Sequence, residues 1–471
     1  MSIKKFKFLM IIFFSFLLVA NFTACDIDEF EDAPQHELSG EVLDSPDTPL
    51  ADHEYEEITI LIEGEEEDKT VETFESDGSW SVEVEGSVDV KAASDEHDFH
   101  PAEYREIDES KDDLIFYASE VNARFPAGEG TEEDPYLIAS ASNFDSIRAF
   151  RGESFKQIRD IDMQTLDEES WDPIGDDIRD FEGEFDGNDY VIKNLVIEGG
   201  NDFKGLFRKL DDSSAKLENI QLKNVDVSGD NYIGGLVGHL DTGKIIDSSV
   251  SGSVEGQKNV GGLAGVNDDI IEDSFSETRV TGQENIGGLA GYNAEGDILK
   301  SYTTANSEIE VSEKIAGGFV GLNEGLIEKS FSAGEVSGGE NFGGLVGRND
   351  GDISNCYVRG DVSGKNIGGL VFYNTGNIDR TYSAGNVEFT GEEWLSGGLV
   401  ARAEGTVSHS FFNKETTNIE TGPGEAISTE EMKQQETFMP DWDFDVIWDI
   451  EEGESYPYLE WQENNIPYPA E

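Results

Sequence analysis

Short apolar runs separated by glycine, asparagine and aspartate recur along most of this chain. The runs are three to five residues long, show no sustained helical period, and are bounded by Asn-Gly, Asp-Gly and Ser-Gly pairs. Glycine at this density would cost a helix about 1 kcal/mol per residue. The pattern therefore predicts short β-strands joined by tight turns, in an all-β fold.

One unit repeats from residue 231 to 420. Its core is Gly-Gly followed by two hydrophobic residues and usually a third glycine, and successive cores start 27, 26, 30, 26, 25 and 29 residues apart. A unit of about 26 residues cannot bury its own apolar face, so we expect stacked coils of a β-solenoid, about ten in all. Adjacent coils would pair at ~4.8 Å, with Leu, Val, Ile and the aromatic residues filling the interior. The paired glycines are Gly234, Gly235, Gly261, Gly262, Gly287, Gly288, Gly317, Gly318, Gly343, Gly344, Gly368, Gly369, Gly397 and Gly398.

Two features of the repeat predict what happens at the corners of the solenoid. Glycine permits sharp corners and positive φ, and we expect the glycines to serve this purpose. One asparagine per coil is expected to form a hydrogen-bonded ladder at one corner. These asparagines are Asn267, Asn293, Asn323, Asn349 and Asn374.

Gly235-Leu236-Val237-Gly238 and Gly344-Leu345-Val346-Gly347 resemble the GLUG motif, although two later copies lose the last glycine. Residues 125–138 and the aromatic-rich tail resemble the segments that open and close such arrays. The resemblance implies a β-solenoid of the kind found in bacterial surface proteins, including adhesins and the non-catalytic parts of IgA-protease-type metallopeptidases. It divides the chain into an N-terminal cap with the first coils (123–230), the GLUG solenoid (231–420) and a C-terminal cap (421–471). A capping helix is expected near residues 142–150.

Residues 37–122 show a different pattern, with alternating strands around an Asp77-Gly78 turn. Six or seven short strands of this kind are typical of a small Ig-like β-sandwich. The segment resembles the carboxypeptidase-regulatory or transthyretin-like modules that act as spacers on surface proteins.

The N-terminus has the form of an export signal. Three lysines precede an apolar run, and Phe22-Thr23-Ala24-Cys25 follows it. The tetrapeptide resembles a bacterial lipobox, which implies lipidation of Cys25, removal of the signal peptide 1–24 and an acidic tether at 25–36. The alternative is an ordinary signal peptide that happens to carry a cysteine. The lipoprotein interpretation predicts a membrane partner and a location on the cell envelope, outside the cytoplasm.

The charge excludes some functions. The chain has 102 acidic and 32 basic residues, a formal charge of −70, so it is not expected to bind nucleic acid. Because the acids are spread along the whole chain, adaptation to a saline habitat is the favoured explanation over a specific acidic site. Two cysteines cannot form a disulfide scaffold.

The sequence contains no recognisable catalytic motif. None of the six histidines forms His-Glu-x-x-His. His97 and His100 lack a third zinc ligand, and Cys356 occupies a position filled by serine in other repeats. Asp176-Asp177 and Asp186-Gly187-Asn188-Asp189 are the candidates for hydrolytic carboxylates, but their alternative role in turns is favoured. We therefore predict no catalytic residue, no metal site and no cofactor, with Ca²⁺ at Asp-rich turns as the residual alternative.

Together these features predict a non-enzymatic, lipid-anchored surface protein whose solenoid presents a face for adhesion or ligand binding. The ligand would be an extracellular glycan or protein. The alternatives left open are a solenoid that binds or cleaves polysaccharide and a purely structural component of the envelope.

Overall fold

The structure is a computed structural model that describes residues 124–462, except 167–169, 177, 312–313, 339, 390–394 and 421. Between residues 35 and 120 it describes the backbone of nine strands, with the side chains of Ile60, Ile62, Ser81 and Val90. The predicted signal peptide, Cys25 and the tether up to residue 34 lie outside the described residues.

The nine N-terminal strands form two sheets. Ile60, Ile62 and Val90 are buried. The packing of one sheet on the other as a sandwich stays a prediction. One sheet contains Gln35–Ser45, Thr48–Pro49, Ser79–Glu85, His97–His100 and Lys111–Glu120. The other contains Thr59–Gly64, Lys69–Val71, Val88–Ala93 and Glu103–Ile107.

From residue 154 to 412 the chain winds into a β-solenoid of about nine turns, which confirms the predicted architecture. Each coil adds strands to three faces, and neighbouring coils pair in parallel, as between Val320–Asn323 and Val346–Asn349. Parallel stacking satisfies the backbone donors and acceptors of every inner coil on both sides.

The strands of the three faces follow the repeat. The first face contains Asn231–Gly234, Lys258–Gly261, Glu284–Gly287, Ala316–Gly317, Phe342–Gly343 and Ile367–Gly368. The second face contains Tyr136–Ile138, Ser154–Gln157, Glu184–Asp186, Phe207–Glu218, Val237–Ile246, Ala264–Asn267, Ile270–Glu272, Ala290–Asn293, Asp297–Leu299, Val320–Asn323, Leu326–Glu328, Val346–Asn349, Asp352–Ser354, Val371–Asn374, Asn377–Asp379, Val400–Ala403 and Thr406–Ser408. The third face contains Ile161–Asp162, Val191–Lys193, Val196–Ile197, Gln221–Ser228, Ser249–Glu255, Phe275–Gly282, Tyr302–Thr303, Glu308–Val311, Phe331–Ser332, Glu335–Gly338, Tyr357–Val358, Val362–Gly364, Tyr382–Ser383, Val387–Phe389, Phe411–Asn413 and Glu425–Ile427.

Helices are short and lie at the two ends of the array. Ser140 caps the first helix through its side chain, and Phe144 of that helix is fully buried in the core. The α-helices are Ala141–Ser146, Lys414–Thr417 and Thr429–Met432. The 3₁₀ turns are Ile147–Ala149, Met163–Thr165, Gln435–Thr437 and Glu460–Gln462, and a last antiparallel pair joins Trp448–Asp449 to Tyr458–Leu459.

The interior is mainly apolar, with buried serines and threonines and a ladder of amides among the hydrophobic residues. Valine, leucine and isoleucine from successive coils stack in the core, together with Phe319 and Phe342. The predicted asparagine ladder is confirmed, because each amide donates to the next one at 2.7 Å, from Asn267 through to Asn374. The ladder satisfies polar groups that would otherwise be costly inside the core.

The prediction that the repeated glycines provide positive φ at sharp corners is wrong. None of the paired glycines has φ in the left-handed range; that conformation is adopted at one corner by Asp247, Asp273, Lys300, Lys329, Asn355, Arg380 and His409. Instead, glycine is required because any side chain at these positions would clash with neighbouring atoms of the solenoid. A Cβ on the first glycine of each pair would lie 1.8–2.3 Å from the carbonyl oxygen three residues later. A Cβ on the second would lie 2.1–2.5 Å from another part of the solenoid.

The sequence predicts that the aromatic residues of the repeat fill the interior, but some of them lie outside it. Phe275, Tyr302, Phe331, Tyr357 and Tyr382 form a ladder on the third face, with ring centroids 4.8–5.0 Å apart. Residues 438–462, which we call the strap, run back along this ladder and bury much of it. Trp461 at the far end of the strap packs near Tyr302 and Phe331, several coils away from the end of the array.

Candidate ligand-binding site

The second face presents a continuous row of side chains that the sequence analysis did not identify. In each coil, one residue of the first strand of this face points away from the core while its neighbours point inward. Val320 and Asn323, for example, are fully buried, whereas Leu322 between them is partly exposed. In-register pairing aligns these residues along the solenoid axis. We call this row the outer stripe; it consists of His239, Val266, Tyr292, Leu322, Arg348, Tyr373 and Arg402.

The C-terminal half of the outer stripe combines guanidinium groups with an aromatic ring. The ring of Tyr373 lies between Arg348 and Arg402, whose guanidinium carbons are 5.5 and 4.8 Å from its centroid. Such cation–π contacts hold the long arginine side chains in fixed positions. The side chain of Arg402 is still 61% exposed, so its remaining donors face solvent.

A row of carboxylates runs beside the outer stripe and binds to it. Tyr292 donates its hydroxyl to Glu324 at 2.6 Å, and Arg348 contacts Asp350 at 2.6 Å. Arg402 contacts Glu404 at 2.5 Å. Each carboxylate retains further acceptor capacity, because it has two oxygens and about four lone-pair sites. From Arg348 to Arg402 the surface therefore offers donors, acceptors and an aromatic ring in successive coils, whereas Leu322 and the buried Val266 are apolar.

The ionisation of these groups is fixed by their contacts. Burial and the adjacent Glu324 raise the pKa of the Tyr292 phenol. Hydrogen bonds from Arg402 and Tyr373 lower the pKa of Glu404, and the hydrogen bond to Asp350 raises the pKa of Arg348. The pKa shifts of Glu404 and Arg348 both favour the charged forms of these two groups.

Three potential metal ligands meet at the N-terminal end of the outer stripe. Ligand atoms of His239, Asp241 and Asp268 all lie within 4.8 Å of one another, and His239 Nε2 is 2.5 Å from Asp268 Oδ2. Lys209 Nζ, however, lies 2.5 Å from Asp241, and its hydrogen bond lowers the pKa of that carboxyl. The lysine already supplies the positive charge that a metal ion would bring to these carboxylates. The sequence analysis did not anticipate this cluster, because Asp268 comes from the next coil.

The aspartates considered as hydrolytic groups are held in structural contacts. Asp176 accepts from Arg151 at 2.7 Å and from two backbone amides, and these hydrogen bonds lower its pKa. Asp186 accepts from the Asn188 backbone and from the Asn219 side chain. Asp177 lies outside the described residues. The carboxylates of Asp176 and Asp186 therefore stabilise the first coils.

The other residues singled out from the sequence lie at separate places. Cys356 is fully buried in the third face, one coil from Ser330. His97 and His100 belong to an N-terminal strand whose side chains are not described. The paired glycines line the first face and its turn into the second face, and none of them belongs to the outer stripe.

The chain is similar to several known proteins. The model of the GLUG motif family matches residues 229–255 and 338–363. A protein named as a Gly-rich membrane protein from Evansella cellulosilytica is 34% identical over 427 residues, covering 71% of this chain and 45% of that protein. Halomucin from Haloquadratum walsbyi is 33% identical over 240 residues, which is 46% of this chain and 2% of halomucin.

Two further similarities concern proteins named as immunoglobulin A1 proteases. A Streptococcus pneumoniae protein of this name is 36% identical over 34% of this chain and 8% of its own length. A crystal structure from Bacteroides ovatus, described as an immunoglobulin A1 protease, is 21% identical, with a TM-score of 0.44 and coverage of 73% of this chain and 97% of that one. At low identity over a partial region, a GLUG solenoid is not itself evidence of catalysis.

No helix among the described residues has the length and apolar character needed to cross a membrane. The chain spans 45% of the Evansella relative and less than a tenth of the streptococcal and halomucin relatives that it matches. Its sequence carries two matched copies of the GLUG motif, and both lie within a solenoid of about nine turns.

Proposed function

We propose that this protein is a non-enzymatic, lipid-anchored surface protein that binds an extracellular glycan along the outer stripe. The observation that carries the proposal is the row from Tyr292 to Arg402, which brings aromatic rings, guanidinium groups and their partner carboxylates together along one line of the surface. Sugar hydroxyls both donate and accept hydrogen bonds, so they match a surface of alternating charged donors and acceptors.

The geometry of the solenoid supports a long ligand. Equivalent atoms of successive coils are separated by ~4.8 Å along the axis, and the described stripe extends over seven coils from His239 to Arg402. An extended polymer can therefore contact several coils at once, and many weak contacts can add to a useful affinity.

The anchor is proposed from Cys25 and its lipobox-like context. A lipid on Cys25 would hold the chain at the cell envelope, and the N-terminal strands would space the solenoid from the membrane. The Evansella relative is named as a membrane protein, which supports a location at the membrane. The size and even spread of the negative charge support a role in a saline environment.

A glycan array tests the ligand. We expect purified protein to bind a subset of extended polysaccharides, and Tyr373→Ala to reduce the bound signal about tenfold, as for an aromatic residue at the centre of an interface. Lys365→Ala, an exposed residue at the corner that leads into the first face, should leave binding unchanged. Equal binding by wild type and Tyr373→Ala would reject the outer stripe as the binding face, and release of reducing ends would reject the non-enzymatic assignment.

Metabolic labelling tests the anchor. Cells that express the full chain are fed a clickable fatty acid, and the protein is recovered from membrane and soluble fractions. We expect label on the wild type and none on Cys25→Ala, which should leave the membrane fraction. Cys356→Ala is the matched control and should remain labelled. Equal labelling of wild type and Cys25→Ala would exclude lipidation at this cysteine.

A further inference from the structure

The aromatic ladder of the third face is covered along only part of its length. Phe331, Tyr357 and Tyr382 are at most 3% exposed beneath the strap, whereas Tyr302 and Phe275 beyond its end are only partly buried. At this point the surface opens into a groove of about 870 Å³, which we call the lateral groove. Its lining includes Asp189, Asp247, Asp273, Phe275, Glu277 and Tyr302.

The strap shows how this surface holds an extended chain. Trp448 Nε1 donates to Asn355 Oδ1 at 3.3 Å, and Trp461 Nε1 donates to the Lys329 carbonyl oxygen at 3.1 Å. The Tyr382 hydroxyl donates to the carbonyl oxygen of Pro457 at 2.6 Å. Aromatic side chains thus lie on the ladder while polar atoms reach the corner residues beside it. The lateral groove continues the same ladder and the same corner without a break in register.

The charge of the corner changes where the strap ends. Under the strap, the corner positions are Lys329, Asn355, Arg380 and His409. The strap itself has eight acidic residues and no basic one. The Asp441 carboxylate lies 3.7 Å from His409 Nε2, and the Asp441 main-chain carbonyl oxygen accepts from Arg380 Nε at 2.7 Å. The covered part of the ladder therefore joins a basic corner to an acidic chain.

The lateral groove has the opposite charge. Lys300 is the last basic position of the corner, and beyond it the corner positions are Asp273 and Asp247. Asp189 and Glu277 also line the groove. Burial and the neighbouring carboxylates, Asp273 first among them, raise the pKa of Asp247. Lys300 contacts Asp273 at 3.4 Å and Lys223 lines the far side, so carboxylates outnumber cations in the groove.

From this we propose that the lateral groove binds an extended segment of a partner polypeptide that carries aromatic and basic side chains. The aromatic residues continue the packing that Trp461 begins on the ladder, and the basic residues pair with the corner aspartates. The chain's own residues 463–471 do not fit this description, because they contain Glu463 and Glu471 and no lysine or arginine. The proposal concerns a different face from the outer stripe and does not depend on glycan binding.

Fluorescence anisotropy with the full chain tests the proposal. The probe is a dye-labelled peptide with the sequence of residues 456–462 in which Glu460→Lys is introduced, and the unmodified peptide is its matched control. We expect the lysine peptide to bind about tenfold more tightly than the control, and rising NaCl to reduce the difference. Equal affinity of the two peptides would overturn the charge argument.

Variants locate the site. Asp247→Asn and Asp273→Asn should each weaken binding of the lysine peptide severalfold, whereas Glu430→Gln, on an exposed helix, should not. Melting curves confirm that each variant is folded. Unchanged affinity in both aspartate variants would place the peptide elsewhere and reject the lateral groove. If the peptide binds only after Ile466→Ser and Tyr468→Ser are introduced together, the chain's own tail occupies the groove and the proposal is wrong.

Discussion

Tyr382 in the aromatic ladder donates its hydroxyl to the main-chain carbonyl oxygen of Pro457 in the strap, at 2.6 Å and across 75 positions of the sequence. The tyrosine is fully buried, and its oxygen also accepts from Arg359 Nε at 3.3 Å. One hydroxyl group therefore satisfies two polar groups that water cannot reach.

Removing this hydroxyl should loosen the strap. We expect Tyr382→Phe to lower the free energy of unfolding by about 1–3 kcal/mol, since it leaves a buried carbonyl and a guanidinium with one partner fewer. Urea unfolding followed by tryptophan fluorescence measures the change, and Tyr190→Phe, at a 37% exposed residue, is the control. Equal losses in the two variants would show that the hydrogen bond contributes nothing.

The asparagine ladder should be sensitive to a single break. Asn323 accepts from Asn293 and donates to Asn349, both at 2.7 Å, inside the core. We expect Asn323→Ala to cost about 2–4 kcal/mol, because it leaves unpaired amide groups on both sides and a small cavity. Chemical denaturation measures this cost, and Asn377→Ala, on the exposed surface, should change stability by less than about 0.5 kcal/mol.

The second glycine of each pair should not tolerate a methyl group. A Cβ on Gly318 would lie 2.2 Å from the Gly344 carbonyl oxygen of the next coil, and backbone cannot yield as a side chain can. We expect Gly318→Ala to destabilise the protein by about 3 kcal/mol or to prevent its soluble expression. Gly152→Ala is the control, because the nearest atom to its Cβ would be 4.0 Å away. A stable Gly318→Ala protein would contradict the spatial explanation of the repeat.

Cys356 should make stability depend on alkaline pH. Complete burial raises the pKa of the Cys356 thiol from the ordinary value of 9.0 to about 12. Because the folded state holds this proton more tightly than the unfolded state, the thiol's contribution is complete below about pH 9 and declines as the pH rises toward 12.

A serine variant isolates that contribution. Cys356→Ser places the same group as Ser330 in the ladder but does not titrate in this range. We expect wild type to lose up to about 1.4 kcal/mol more per pH unit than Cys356→Ser above about pH 9. Urea unfolding at several pH values provides the comparison, and parallel curves would show that the thiol is not the titrating group.

Salt should stabilise the protein. A formal charge of −70 creates self-repulsion that is screened as the Debye length falls from ~10 Å at 0.1 M to ~3 Å at 1 M. We expect the melting temperature to rise between about 0.1 and 2 M NaCl, and to rise more than in a non-ionic solute of equal osmolality. A flat response to NaCl would reject salt adaptation.

The solenoid could be predicted because its signal is repeated in sequence. The spacing of Gly343-Gly344 and its equivalents fixes the coil, and an asparagine at one place in each coil implies an amide ladder once the coils stack in register. The reason for the glycines could not be read correctly, because glycine is compatible with both positive φ and close approach. The structure favours close approach, because the carbonyl oxygens of Val346 and Gly369 leave no room for a Cβ on this pair of glycines.

The outer stripe and the strap could not be found in the same way. Residues of the stripe vary from Leu322 to Arg348 to Tyr373, so no residue type marks the position, and the row becomes visible only when the register is known. The strap depends on contacts such as Trp461 with Lys329, which are 132 positions apart. Residues 421–471 are predicted as a C-terminal cap. Glu425–Ile427 pairs with Phe411–Asn413 at the end of the array, and the aromatic residues between 442 and 461 pack on the ladder along its side.

The strap also restricts how the array can change in length. Trp442, Trp448 and Trp461 each pack on the ladder rings of two neighbouring coils. Removing or inserting one coil between Phe331 and Phe411 would therefore separate part of the strap from its ladder partners. Among the described residues, no strap ring packs on a ladder ring before Tyr302, so the earlier coils are not tied to the strap by aromatic contacts. Duplication or loss of repeats would therefore be tolerated in the N-terminal part of the solenoid and penalised beneath the strap.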